Sequence, residues 1–218
     1  MIVKHEDELQ AREAVFIVDD DAAICEGLCN LLEAVGISSR CFFTAEGFRA
    51  HWSEEMAGCL LLDARLPGIS GVEFQQRLRQ SGIQIPIIFM TAHGDIPMVR
   101  KVMKAGAIEF LTKPFQKEEL LHAVQQAFAS DRMRRKEEGI IKAIRARIDS
   151  LTQREREVMA MVTAGLLNKQ IAGELNLSEI TVKLHRRHVM EKMQAGSLAE
   201  LVKMCERVKE PSWLVPPA

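Results

Sequence analysis

The chain has 218 residues, enough for two modest domains or one large one, and its hydrophobic fraction of 47% is ordinary for a globular protein. No apolar run approaches the ~20 residues that a membrane-spanning helix needs, which argues against a membrane partner. The formal charge of −1 hides an asymmetry: residues 1–130 hold 12 Lys and Arg against 18 Asp and Glu (net −6), residues 131–218 hold 17 against 12 (net +5), and such a split points to two domains with different partners.

The opening MIVKHEDELQAREA carries charge without an apolar centre, so residues 1–13 read as a polar extension of a cytoplasmic protein rather than a signal peptide. Ala14–Val18 reads as a buried strand that runs into three consecutive carboxylates, Asp19, Asp20 and Asp21. Ile24, Leu28, Leu31, Leu32 and Val35 recur at helical spacing, and Gly36 stops that helix. Further strands follow at Arg40–Phe43, Cys59–Leu62 ending at Asp63, Ile85–Met90 ending at Thr91, and Ile108–Leu111 ending at Thr112-Lys113-Pro114. Helices are marked by Val72, Phe74 and Leu78, by Val99, Val102 and Met103, and by Leu120, Leu121, Val124 and Phe128. The five cysteines, odd in number and without a CxxC pair, read as small hydrophobes in a reducing compartment.

Strands alternating with helices imply a parallel sheet covered on both faces, and ligands of such sheets sit at the carboxyl ends of the strands. Asp19, Asp20, Asp63, Thr91 and Lys113 all stand there: a carboxylate cluster, a hydroxyl and an ammonium at one sheet edge. Adjacent carboxylates repel, and a divalent cation offsets that repulsion. Magnesium takes oxygen ligands and keeps several waters, a carboxylate beside it can attack a phosphoryl group, and a lysine stabilises the charge that develops. Any one of these residues alone is more readily a solvated strand end. Four strand ends agreeing in one sheet are not.

VDDD, LLLDARLPGISG and TAHGDIPMVRKVMKAGAIEFLTKPF, with their spacing, resemble a response-regulator receiver domain over residues 14–130, closest to the FixJ-like branch. The resemblance implies a flavodoxin- or CheY-like, doubly wound α/β fold with a five-stranded parallel sheet. It implies Asp63 as phosphoacceptor, Thr91 as switch hydroxyl, Lys113 as phosphate-binding cation and Phe110 as the aromatic that turns inward. Mg²⁺ (or Mn²⁺) would be held by Asp19, Asp20, Asp63 and the backbone carbonyl of Arg65, with Asp20 the direct ligand of the acidic pair. Pro114 takes the family's cis-proline position. Asp21 exceeds the pattern and reads as a solvated charge at a helix start. Ala64 leaves the site mouth open to water.

Residues 131–149 read as a charged helical linker, interrupted at Glu137-Glu138-Gly139 and carrying an apolar stripe of Ile140, Ile141, Ile144 and Ile148. Thr152 to Glu155 is a capping box opening a helix with Val158, Met159 and Val162, ended by Gly165. Asn168 is placed to cap a short helix with Ile171 and Leu175, Asn176-Leu177 makes a tight turn, and Ser178 caps the next helix. Ser197 to Glu200 reads as another capping box. Four short helices with a tight turn between the middle pair describe a separate all-α helix-turn-helix domain. In its third helix Val182, Val189 and Met193 face the core, while Glu179, Lys183 and Arg187 share another face with Leu184 beside them.

NKQIA, LSEITVKLH and LAELVKM resemble the LuxR/FixJ/NarL-type DNA-binding domain over about residues 150–209, leaving 210–218 as a tail. The resemblance implies that Lys183, Leu184 and Arg187 read base edges of double-stranded DNA, that Lys169 and Arg186 touch its backbone, and that the last helix dimerises. The expected function is a transcriptional regulator phosphorylated on Asp63 by a sensor histidine kinase, homodimeric when phosphorylated, with RNA polymerase as a further partner, and catalysing only its own phosphorylation and dephosphorylation. A Mg²⁺-dependent aspartyl-phosphate phosphohydrolase would use similar strand-end carboxylates but leaves the rear domain unexplained. A non-DNA-binding adaptor is the third alternative.

Overall fold

Apolar runs of about five residues, each closed by a polar residue, set the frame of the front half. The computed structural model describes residues 13–92 and 96–208, with residues 96–98 and 101 described only as members of their helix. The expected N-terminal extension and C-terminal tail, the His93 to Asp95 part of the loop motif and the side chains at 96–98 therefore lie outside the description. The chain divides into two compact units between Arg134 and Arg135.

The first unit is a sheet of strands β1 (Ala14–Val18), β2 (Ser38–Phe42), β3 (Gly58–Asp63), β6 (Ile87–Thr91) and β7 (Glu109–Thr112), all parallel, in the order β2-β1-β3-β6-β7. Between β3 and β6 a two-residue ribbon, β4 (Arg65–Leu66) and β5 (Ile69–Ser70), leads into the helix α3 (Gly71–Gln80). Side chains alternate across the sheet. Phe16, Val18, Leu60, Leu62, Ile87 and Phe89 meet α2 (Ala45–His51), α3 and α4 (Ile96–Lys104) on one face. Val15, Ile17, Cys59, Leu61, Ile88 and Met90 meet α1 (Ala22–Glu33) and the start of α5 (Lys117–Asp149) on the other. Burial on both faces is why these strands read as continuous apolar runs. All five cysteines are free thiols, and the half-buried pair Cys29 and Cys41 lies in S···S contact at 2.9 Å.

Two features depart from the sequence pattern. Helix α2 has no marked apolar periodicity; Thr44 caps it, accepting from the Gly47 amide at 3.0 Å, and a single large side chain, Phe48, anchors it in the core. Glu137-Glu138-Gly139 does not interrupt α5, which runs unbroken to Asp149. One glycine costs a helix interior about 1 kcal/mol relative to alanine, and burial of Ile144 and Ile148 outweighs it. Near residue 131 the same helix is tied back to its sheet. Asp131, only 1% exposed, accepts from the Gly58 amide at 3.0 Å and pairs with Arg134.

The second unit gathers the end of α5 with α6 (Gln153–Thr163), α7 (Asn168–Leu175), α8 (Glu179–Met193) and α9 (Leu198–Val208) around one core that contains Ile144, Met159, Ile171, Val182, Val189 and Leu201. Thr152 and Glu155 form the expected reciprocal cap of α6. Asn168 is not the cap of α7. Leu167 precedes that helix, its amide donates to Gln170 Oε1 at 2.8 Å, and Asn168 is the first helical residue. Asn176, left-handed at φ 52°, turns the chain into α8, where Ser178 accepts from the Thr181 amide. At α9 the box is half formed: Ser197 accepts from the Glu200 amide, but the Glu200 carboxylate takes the amide of Gly196 rather than that of Ser197.

Candidate functional site

Sheet register brings the front-half residues together. Val18 lies level with Leu62, so Asp19 follows β1 where Asp63 closes β3; Asp63 is level with Met90, and Thr91 with Thr112. Asp19 is 1% exposed, Asp63 8% and Thr91 2%, so these polar groups stand at the inner wall of the edge and not in open solvent. Lys113 crosses to them: its Nζ donates to Asp19 Oδ2 at 2.6 Å and to Asp63 Oδ1 at 2.7 Å. Burial opposes charge on this lysine, but the hydrogen bonds to Asp19 and Asp63 outweigh it and hold the ammonium above the ordinary lysine value. The peptide bond from Lys113 to Pro114 is cis, and the Lys113 amide donates to the Thr91 carbonyl at 2.7 Å.

Backbone groups complete the pocket. The Arg65 amide donates to Asp63 Oδ2 at 2.6 Å; sequence reasoning points to the Arg65 carbonyl and misses this contact, which follows from the sharp turn between β3 and β4. The amide of Asp21 donates to Asp19 Oδ1, while the Asp21 carboxylate caps α1 through the amides of Ala23 and Ile24, the helix-start role read from sequence. Asp20 is exposed beside them. Gly71 stands against Asp63 from below: a Cβ there would fall 2.5 Å from the Asp63 carbonyl oxygen. Phe110 is partly buried against the core on the α3 and α4 side of the sheet.

Among the described residues no group of three or more His, Cys, Asp or Glu side chains is arranged to hold a metal ion. The donor chemistry still suits Mg²⁺, which needs only one or two carboxylates beside waters and substrate oxygens. Two nearly buried carboxylates share one ammonium, so the pocket keeps an uncompensated negative charge.

In the second unit α8 turns Val182, Val189 and Met193 into the core, as its spacing predicts, and presents Lys183, Leu184 and Arg187 outward. Leu184 is 50% exposed and Ile180, in the first turn, 79%. Arg187 pairs with Glu191 at 2.8 Å, and Lys169 is exposed in the first turn of α7. Arg186 is half-buried and donates to Asn168 Oδ1 at 2.7 Å, bracing α8 against α7. Sequence reasoning misses a second brace. Glu155 on α6 is 4% exposed, bonded to Lys192 on α8 at 2.6 Å, with His188 Nδ1 3.6 Å away. Burial disfavours the Glu155 carboxylate, but Lys192 and the Thr152 amide and hydroxyl prevail and hold it below the ordinary glutamate value. Helix α8 is thus fixed on two neighbours with one face left free of the core, as an element entering the DNA major groove requires.

Comparison with known proteins agrees with both halves. Residues 15–125 match the family of response regulator receiver domains, and residues 149–205 match the luxR family of bacterial regulatory proteins. The chain is a response regulator. Its relatives include nodulation protein W of Bradyrhizobium diazoefficiens, 45% identical over 91% of this chain and 88% of that one. The transcriptional regulatory protein FixJ of the same organism is 39% identical over 88% of this chain and 94% of its own length. Among solved structures, the response regulator StyR superposes with a TM-score of 0.78 at 47% identity, covering 90% of this chain and all of that one. The family combines a receiver with a LuxR-type DNA-binding domain in regulators of transcription. No helix among the described residues is long and apolar enough to cross a membrane.

Proposed function

We propose that Asp63 accepts a phosphoryl group from a sensor histidine kinase and that the modified receiver controls binding of the rear domain to double-stranded DNA. The observation that carries this reading is the position of Lys113, bonded to both Asp19 and Asp63 at the sheet edge. An Asp63 carboxylate oxygen attacks phosphorus as the bond to the kinase imidazole breaks, leaving an aspartyl phosphate and a neutral histidine after protonation. Lys113 exchanges its bond to Asp63 for one to a phosphoryl oxygen, while its contact with Asp19 keeps it in place. The Arg65 amide orients the carboxylate beforehand. Asp19, Asp20, Asp63 and the Arg65 carbonyl would hold Mg²⁺ (or Mn²⁺), which would neutralise charge on the transferring oxygens.

The Thr91 hydroxyl then bonds the phosphoryl group, and Phe110 follows inward; the α4–β7 face so remodelled pairs two copies of the chain. Two rear domains bind two half-sites, with Lys183, Leu184 and Arg187 on base edges and Lys169 and Arg186 on phosphates. RNA polymerase is the further partner of the bound dimer, in the cytoplasm. Of the linker read from sequence, 131–149, Asp131 and Arg134 bond to the front unit and Ile144 and Ile148 pack in the rear core, so we take the working division between Arg134 and Arg135 rather than domains over 14–130 and 150–209. The rear domain favours this reading over a phosphohydrolase, which has no use for it, and over an adaptor. Acetyl phosphate with Mg²⁺ tests it. The wild type takes up about one phosphate per chain, dimerises and binds duplex DNA more tightly, whereas Asp63→Asn does none of these; an Asp63→Asn protein that still switches fully defeats the proposal.

A further inference from the structure

Helix α8 carries more apolar surface outward than its reading of DNA through Lys183, Leu184 and Arg187 accounts for. Ile180 is 79% exposed and Leu184 50%, both among the large hydrophobic side chains that the described residues leave in solvent. At about 100° per residue, Ile180, Leu184, Arg187 and Glu191 fall within roughly 60° of one another, nearly opposite the buried Val182, Val189 and Met193. The two aliphatic side chains therefore lie on the centre line of the outward face, one helical turn apart. Arg187 and Glu191 continue the line and are bonded to each other at 2.8 Å. Lys183 flanks it.

We propose that Ile180 is a second specificity-determining residue, seated on a thymine 5-methyl group in the major groove, so that each half-site is read by two methyl contacts and not by Leu184 alone. The inference rests on α8 being the DNA-reading helix and deepens that reading. Its occupant is argued from three observations. Ile180 lies in the first turn of α8, and the N-terminal residues of a recognition helix are those that contact base edges. Charge on α8 is mixed, with Glu179 next to Ile180 and Glu191 bonded to Arg187, but Lys183, Arg186, Arg187 and Lys192 outnumber those two acids, an excess that suits a polyanion rather than an apolar protein partner. And a β-branched side chain on a helix holds essentially one χ1 rotamer, so its methyl groups are presented without much further loss of entropy on binding. In the major groove only thymine offers a methyl group as well as an acceptor, so an aliphatic tip there separates T from C. One helical turn rises about 5.4 Å, which places the two methyl groups roughly one or two base pairs apart.

The test uses the full chain treated with acetyl phosphate. Duplexes selected from a random pool define the site, and each thymine is then replaced singly by uracil, which removes the methyl group and nothing else. For the wild type, two positions per half-site should each weaken binding about fourfold on replacement, the value of one buried methyl. In Ile180→Ala one of those positions should become indifferent to uracil while the other stays sensitive, and Leu184→Ala should show the reverse; a circular dichroism melt checks that each variant keeps its helices. An uracil profile of Ile180→Ala unchanged from the wild type overturns the inference and leaves the assignment of α8 intact. A wild type that selects no duplex at all overturns both, so the two failures are distinguishable.

Discussion

Each unit buries an ionic cluster around a lysine, and the two are composed differently. At the sheet edge two carboxylates, Asp19 and Asp63, compete for one ammonium, Lys113, with exposed Asp20 adding to the negative charge. In the rear unit a single carboxylate, Glu155, is served by Lys192, by the Thr152 cap and by nearby His188. The rear cluster is saturated and holds α6 to α8. The front cluster is short of cations, an imbalance that the proposed binding of a metal and a phosphoryl group would relieve. The difference teaches that a buried ion pair alone does not mark a functional site; the balance of charge around it separates the rear brace from the proposed phosphorylation site.

The sharpest break of the comparison is Lys113→Ala. Rate of phosphate incorporation from acetyl phosphate should fall by about 10²-fold or more, as when one preorganised electrostatic donor is lost, whereas Lys192→Ala should leave that rate unchanged. Glu155→Gln should lower the stability of the rear unit by roughly 1 kcal/mol, since it keeps the cap but exchanges the charge-assisted bond to partly exposed Lys192 for a neutral one; calorimetry of the full chain should show that loss in one transition only. Gly71→Ala, which forces a methyl group toward the Asp63 carbonyl, should cost about 2 kcal/mol in the front unit and slow phosphorylation as well, read in the same two assays. Asp63→Asn should go the other way, raising front-unit stability by roughly 1 kcal/mol in metal-free buffer because it relieves the surplus charge. A lower midpoint in urea for that variant would contradict an over-subscribed Lys113.

Acid titration separates the clusters by a smaller effect. The Glu155 carboxyl is held below its ordinary value in the folded protein, so its contribution to stability is complete above the unfolded glutamate pKa and is lost as pH falls through the depressed folded value. The rear transition should therefore weaken progressively as pH falls through about 4.3, where an unfolded glutamate is half protonated, and Glu155→Gln should flatten that dependence.

Much of the front site was legible because each of its groups ends a strand. An apolar run stopping at Asp19, Asp63, Thr91 or just before Lys113 shows itself in one dimension, and the parallel sheet brings those stops to one edge. Side chains that act across long separations left no such trace. Glu155 reads as a helix cap, and nothing in the string ties it to Lys192 or His188. The Arg65 amide, the close approach of Gly71 and the half-formed cap at Ser197 depend on backbone geometry that composition does not encode. Helix α2 follows from the alternation of strands and helices but leaves no apolar stripe in the string, because one residue, Phe48, supplies most of its anchoring. Gly139 misled in the opposite sense: a local preference against helix was overruled by burial a turn or more downstream. Ile180 looks unremarkable in the string and stands out only once the helix is wound and its outer line can be traced.

Asp131 has a practical bearing on where this molecule may be cut. It is the acceptor for a buried amide at the foot of β3, seventy-three residues away in the chain, and it lies past residue 125, where the receiver family match stops. A front fragment trimmed to that match would strip the Gly58 N–H of its Asp131 acceptor and leave it to water, and would surrender Arg134 with it. Cleavage after Arg134 preserves the knot, so the longer piece should survive isolation with its melting point intact while the shorter one frays at the strand beginnings, far from the chemistry it was made to report.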